Sequence, residues 1–232
     1  MSWSTTRRRR LAVRTVLSAV LGYALFWLLG TLGMLAASAW ARTQVPPATT
    51  VDTSIGHFQQ VDGHLWRGGA PDAAGYRRLA ELGVRTVVDL RAEDIEDIED
   101  IEDIKGGADP RPEALGLNVV RIPIRDGQSP RPDQVARFLA VVRASSTPVF
   151  VHCGAGVGRT GTMSAAYLTS THETGPRTAF LTSLAVGPPT LEQLNFMHGL
   201  RAGGAAVGPP LPVRLVSRAL DLPRRLWSRL TH

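Results

Sequence analysis

The chain has 232 residues, 44% hydrophobic and 6% aromatic, which is enough for one domain with its own core and too little for two large ones. Its 26 Lys and Arg against 20 Asp and Glu give a formal charge of +6, and eight of those acids lie between Glu93 and Asp103, so the remainder is strongly basic. A single cysteine, Cys153, excludes an intramolecular disulfide framework and a multi-cysteine zinc site, and no segment resembles a nucleic-acid-binding motif.

Residues 1–14 form a basic tail with Arg7, Arg8, Arg9, Arg10 and Arg14, followed by a charge-free apolar stretch over 15–41. That stretch is long enough to cross a bilayer as a helix, which takes about 20 apolar residues. The arginine excess on its N-terminal flank predicts a single-pass anchor in the cell membrane with the rest of the chain outside the cytoplasm. A cleaved signal peptide, leaving a secreted domain, is the competing reading. Ala37-Ser38-Ala39 and Ala39-Trp40-Ala41 have the small-x-small form of a cleavage site, but the apolar region exceeds the roughly 7–15 residues of such signals.

Residues 42–56, with Pro46-Pro47 and several Thr and Ser, read as a linker, and 57–201 as the catalytic domain. Strands are predicted at 65–67, 86–90, 119–124 and 148–151. Val87-Val88 and Val149-Phe150-Val151 lack polar alternation, as strands covered on both faces do. Helices are predicted at 72–82, 132–144, 159–172, 176–184 and 190–200. Pro132 and Pro176 suit first-turn positions, and Gly83 and Gly175 suit helix ends. Alternating strands and helices give an α/β fold, a central, mainly parallel sheet flanked by helices.

An acidic insert at 93–105 contains four in-frame Glu-Asp-Ile copies, whose isoleucines rotate about 60° per copy on a helix and never form one stripe. It reads as a solvated loop. The tail, 202–232, interleaves Leu215, Val216, Leu220, Leu222, Leu226, Trp227 and Leu230 with Arg214, Arg218, Arg224, Arg225 and Arg229. This is an amphipathic segment for an anionic membrane surface or for the chain's own domain, with Pro223 predicted to interrupt any helix.

The chemistry concentrates at His152-Cys153-Gly154-Ala155-Gly156-Val157-Gly158-Arg159-Thr160-Gly161. A cysteine ends an apolar strand, alternating glycines follow, and a helix begins. Glycines let the backbone curl so that successive N–H groups point inward, which makes residues 154–159 (Gly154, Ala155, Gly156, Val157, Gly158 and Arg159) a phosphate cradle at a helix N-terminus. The amides, the helix dipole and the Arg159 guanidinium all favour negative charge, and therefore Cys153 as the thiolate that attacks phosphorus. The planar fork of Arg159 fits two phosphoryl oxygens.

On these residues the chain resembles the Cys-based protein tyrosine phosphatase superfamily, in particular its bacterial dual-specificity-like members. The likeness extends to Leu65-Trp66-Arg67-Gly68-Gly69-Ala70-Pro71, to residues 83–91 and to Ile122-Pro123-Ile124-Arg125-Asp126-Gly127. It implies a phosphatase sandwich, no metal or other cofactor, and a two-step reaction through a phospho-cysteine. By the same likeness His152 would orient the loop and favour the thiolate, and Thr160 would hydrogen-bond the leaving thiolate. The acid that protonates the departing oxygen is assigned to Asp126, on a loop after a predicted strand, with Asp133 as runner-up at a helix start. Asp89 and Arg91 read as supports of the loop.

The implied partner is a phosphorylated substrate, either a phosphoprotein or a small phosphate ester, with the membrane engaged through the N-terminal helix and the basic tail. Gly154, Ala155 and Val157 place no lysine in the loop, so nothing argues for a polyanionic head group. A lipid or sugar phosphate at the membrane, a phosphate-binding module without turnover, and rhodanese-like sulfur transfer are the rival readings.

Overall fold

The computed structural model describes residues 3–47, 49–51, 53–92, 112–171, 174–201 and 207–230. The Glu-Asp-Ile repeat and His172 lie outside them. The first element, α1 (Trp3–Gln44), is 42 residues long, about 63 Å at the α-helical rise, and extends the predicted 15–41 helix at both ends. It is long and apolar enough to cross a membrane. Leu17 and Leu21 are 62% and 72% exposed, whereas Ser38 and Ala41 are buried against the domain.

The five strands are β1 (Gln59–Gln60), β2 (Leu65–Gly68), β3 (Thr86–Arg91), β4 (Asn118–Ile124) and β5 (Val149–His152). They form one sheet in the order β1-β2-β5-β3-β4, antiparallel at β1–β2 and parallel elsewhere. The mainly parallel α/β architecture expected from the sequence is thus present, with β5 at the centre. Successive side chains on a strand point to opposite faces. Val87 and Phe150 pack under Phe58 and Leu79, while Val88, Val149 and Val151 pack with Phe138 and Met163 on the other face. Both faces are covered, which is why these strands carry no polar alternation.

Among the described residues six further α-helices follow: α2 (Ala73–Glu81), α3 (Pro132–Ala144), α4 (Gly158–Ser170), α5 (Pro176–Val186), α6 (Leu191–His198) and α7 (Leu211–Leu230). Asp72 caps α2 by accepting from the Gly75 amide, and Thr190 and Gln193 close a capping box on α6. The segment read as a linker does not hang free. Ile55 is buried beside Phe58, and the Val51 amide donates to the Phe58 carbonyl.

Pro223 does not interrupt α7, contrary to expectation. A proline costs a helix the bond to the carbonyl four residues back, here that of Ala219. The Tyr23 hydroxyl of α1 donates to the Ala219 carbonyl at 2.8 Å, so that acceptor is not left unsatisfied. The two helices touch again seven residues along α1, where Leu220 fills the space that a Gly30 side chain would occupy.

Candidate active site

Each residue of β5 is flanked by β2 on one side and β3 on the other, with His152 in register with Gly68 and Asp89. Cys153 follows at once, 3% exposed, and α4 begins five residues later. The loop between is held from outside by its carbonyls. Gly154 O accepts from the Ala70 amide at 2.8 Å, Ala155 O from His57 Nδ1 at 2.9 Å, and Gly156 O from Arg67 Nη2 at 2.8 Å. In a trans peptide the N–H of the next residue points the opposite way. Three outward carbonyls therefore turn the amides of Ala155, Gly156 and Val157 inward, which makes the anion cradle a consequence of tethering as well as of glycine.

Gly156 is the position where glycine is required. Its φ is +74°, and a Cβ there would lie 2.5 Å from the Gly69 amide nitrogen and overlap the Gly68 backbone. Gly158 is constrained differently, since the side-chain amide of Gln193 lies where its Cβ would be.

Arg159 is 4% exposed. Its Nη1 donates to the Ile124 carbonyl at 3.1 Å, and its Nη2 lies 3.3 Å from Asp126 Oδ1. Cys153, Arg159 and Asp126 line one cavity of about 520 Å³. Asp133 is not among its walls and instead pairs with Arg131 at 2.9 Å on the surface. The loop carrying Asp126 is anchored to the start of α6. Thr190 Oγ1 donates to Gly127 O at 2.7 Å, Gln193 Nε2 to Gln128 O at 3.1 Å, and the Ser129 amide to Glu192 Oε1 at 3.1 Å. Thr160 Oγ1 is buried and makes no hydrogen bond here.

Beneath the loop, Asp89 is gripped by Arg91 through Nη2 at 2.8 Å and the backbone amide at 2.9 Å. Burial alone would raise the Asp89 carboxyl, but the hydrogen bonds from Arg91 and the nearby His152 hold it below its usual range. His152 is fully buried, and desolvation pulls it down to about 4 despite Asp89 nearby. That burial favours the neutral imidazole, whose Nδ1 lies 3.3 Å from Cys153 O.

A pH prediction follows from that burial. The folded protein binds fewer protons than the unfolded chain between pH 6.5 and about 4, so stability falls as pH drops through this window, by about 3 kcal/mol at its lower end. The Asp89 contribution is lost only below its unfolded value of 3.8. Chemical unfolding of the full chain in detergent, followed at pH 7 and pH 4.5, measures the slope. His152→Asn should flatten it, and a flat profile in the unaltered protein would contradict a buried neutral imidazole.

Sequence reasoning passed over three contributors. Arg67 is buried in β2, and desolvation lowers it to about 10, opposed by attraction to Cys153. It brings a second cation near Cys153 and ties down Gly156. An arginine inside a strand that reads as buried demands a partner of this kind, and that was its available signal. His57 tethers Ala155 from φ +53°. Gln193 both lines the cavity and holds the acid loop.

The family described as a DSP-PTPase phosphatase fused to NAD+ kinase matches residues 38–199. A rice protein named "Probable NAD kinase 2, chloroplastic" (Oryza sativa subsp. japonica) is 30% identical over 171 residues, 71% of this chain. NAD kinase 2, chloroplastic, of Arabidopsis thaliana is 37% identical over 101 residues, 43% of this chain. The chain spans only 17% and 10% of the length of these relatives. Among solved structures, Tk-PTP in its active form is 20% identical, with a TM-score of 0.46 over 72% of this chain and 97% of that one. TpbA of P. aeruginosa, solved with pTyr, is 22% identical, with a TM-score of 0.48 over 75% of this chain and 95% of that one. The family match alone covers all five strands, the Cys153 loop and α4 to α6, and by it the chain belongs to the Cys-based, dual-specificity-type phosphatase family whose domain is described as fused to NAD+ kinase.

Proposed function

We propose that this protein hydrolyses phosphate monoesters through a phospho-cysteine. The observation that carries the reading is the shared cavity of Cys153, Arg159 and Asp126 over a loop whose carbonyls are tied outward. The inward amides and Arg159 hold the phosphoryl oxygens. The Cys153 thiolate attacks phosphorus, and the bond to the ester oxygen breaks as Asp126 gives that oxygen its proton. Asp126, now a carboxylate, takes a proton from water while the water oxygen attacks phosphorus. The sulfur–phosphorus bond breaks, releasing inorganic phosphate and the thiolate.

Without substrate, Asp126 pairs with Arg159. A phosphate dianion competes for that guanidinium and places negative charge beside the carboxyl, which favours the protonated form needed to donate. Substrate binding thus prepares the acid. Asp126→Asn is expected to lower kcat by about 10²–10³-fold on an alkyl phosphate and far less on p-nitrophenyl phosphate, whose leaving group needs little protonation. Steady-state rates on both esters test this, and equal losses on the two would remove Asp126 from the acid role.

We further read α1 as a retained anchor with the catalytic domain outside the cytoplasm. Ser38 Oγ donates to Leu184 O and Arg42 Nε to Ala185 O, both at 2.8 Å, and Ala41 is buried. Two residues of the small-x-small sequences at 37–41, Ser38 and Ala41, are therefore packed against the domain, which supports retention over cleavage.

A further inference from the structure

The cavity over Cys153 is closed on one side by the apolar helices. Gly30, Thr31, Met34 and Leu35 of α1 line it, at the spacing of one helix face, and Leu220 of α7 and Leu191 of α6 complete the apolar wall. The crossing that builds this wall is fixed by two contacts. A Cβ on Gly30 would come within 2.6 Å of Leu220 Cδ2, so Leu220 sits in the space the glycine leaves open, and the Tyr23 bond to Ala219 O holds the helices together further on.

The depth of the cavity follows from lengths. From Gly30 onward one face of α1 is against the domain, through Leu220, Ser38, Ala41 and Arg42. Tyr23 already meets α7, so the charge-free stretch with no such contact is 15–22, about 12 Å of helix, against a hydrocarbon core about 30 Å thick. The bilayer must therefore reach up to the docked portion. Trp40 is 50% exposed about one to two turns beyond the cavity, where a belt residue would sit. Beside the cavity, Arg125, Arg214 and Arg218 line a second cleft and have no carboxylate partner among the described residues, as suits a face against anionic head groups.

We infer that the substrate is a membrane lipid whose head group ends in a phosphate monoester, taken directly from the bilayer, with the phosphate on the Cys153 loop and the glycerol and first methylenes against Met34, Leu35 and Leu220. The inference rests on the cysteine chemistry proposed above. Asp126 and Asp221 also line the cavity, so a second phosphate on the same head group is disfavoured. A phosphopeptide fits this wall poorly, because its backbone polar groups would face apolar side chains.

The test uses the full chain in phosphatidylcholine nanodiscs. Phosphate release is measured from dioleoyl phosphatidate in the same bilayer, and from glycerol 3-phosphate, a phosphotyrosyl peptide and p-nitrophenyl phosphate in solution. The expected result is a kcat/KM for phosphatidate at least about a hundredfold above that for glycerol 3-phosphate, with a rate that follows mole fraction in the bilayer. Leu35→Asp should lower the ratio of phosphatidate to p-nitrophenyl phosphate turnover about tenfold. Glycerol 3-phosphate or the peptide being hydrolysed as well as phosphatidate, or an unchanged ratio in Leu35→Asp, overturns the inference. Turnover of p-nitrophenyl phosphate without lipid turnover overturns the lipid assignment alone, whereas no turnover of any ester overturns the cysteine chemistry with it.

Discussion

Cys153→Ser is expected to lower phosphate monoester turnover by about 10⁴-fold or more while leaving phosphate binding in place. The two halves of that result have separate physical origins. In the proposed mechanism turnover depends on an anionic sulfur at the end of β5, and a serine hydroxyl at neutral pH supplies almost none of the corresponding alkoxide. Binding depends on the inward amides and Arg159. These are held by Ala70, His57, Arg67 and Ile124, none of which bonds the Cys153 side chain. Calorimetric titration with inorganic phosphate or vanadate, beside a rate on p-nitrophenyl phosphate, separates them. Phosphate binding without turnover in the unaltered chain would instead identify a phosphate-binding module. Transfer of sulfur from thiosulfate to cyanide would favour the rhodanese-like reading.

What the sequence made legible was local. The run Val149-Phe150-Val151 announced a strand covered on both faces, and β5 is the central strand. Pro132 and Pro176 marked helix starts that the structure keeps at those residues. The spacing from Cys153 to Arg159 needs only a tight loop and one helical turn, so both residues were readable together. Asp126 was readable from its place after β4, and the structure sets it against Arg159.

What was not legible depends on pairs far apart in the chain. Arg67 and Gly156 are 89 residues apart, and His57 and Ala155 are 98 apart, so no local pattern shows that these side chains turn the loop amides inward. The same limit explains the misreading of Pro223. Its local effect was stated correctly, but the donor that satisfies Ala219 sits 196 residues away on α1. It also explains why the apolar helix read as an anchor alone. That one of its faces would wall the catalytic cavity depends on Gly30 meeting Leu220.

Gly156→Ala should be the most damaging conservative change in the loop, and Gly154→Ala a mild one, although the two glycines alternate in the same motif. At Gly154 an added Cβ meets nothing nearer than Arg159 Nη2 at 3.8 Å, an ordinary contact. At Gly156 two penalties combine. A positive φ costs alanine roughly 1 kcal/mol, and the methyl would overlap the backbone of Gly68, which β5 pairing holds in place, and of Gly69, whose amide is bonded to Gly56 O. Backbone does not yield as a side-chain end does, so the loop must lift away from β2. Lifting breaks the bond from Arg67 to Gly156 O and loosens that from Ala70 to Gly154 O, and the inward amides lose their alignment. Gly156→Ala is expected to lose about 10³-fold in kcat/KM, with weaker phosphate binding and a lower unfolding midpoint, against less than about tenfold for Gly154→Ala. Rates, phosphate titration and thermal unfolding of the two variants side by side measure the contrast. Equal, mild effects at both positions would show that outward tethering of the carbonyls does not organise the cradle.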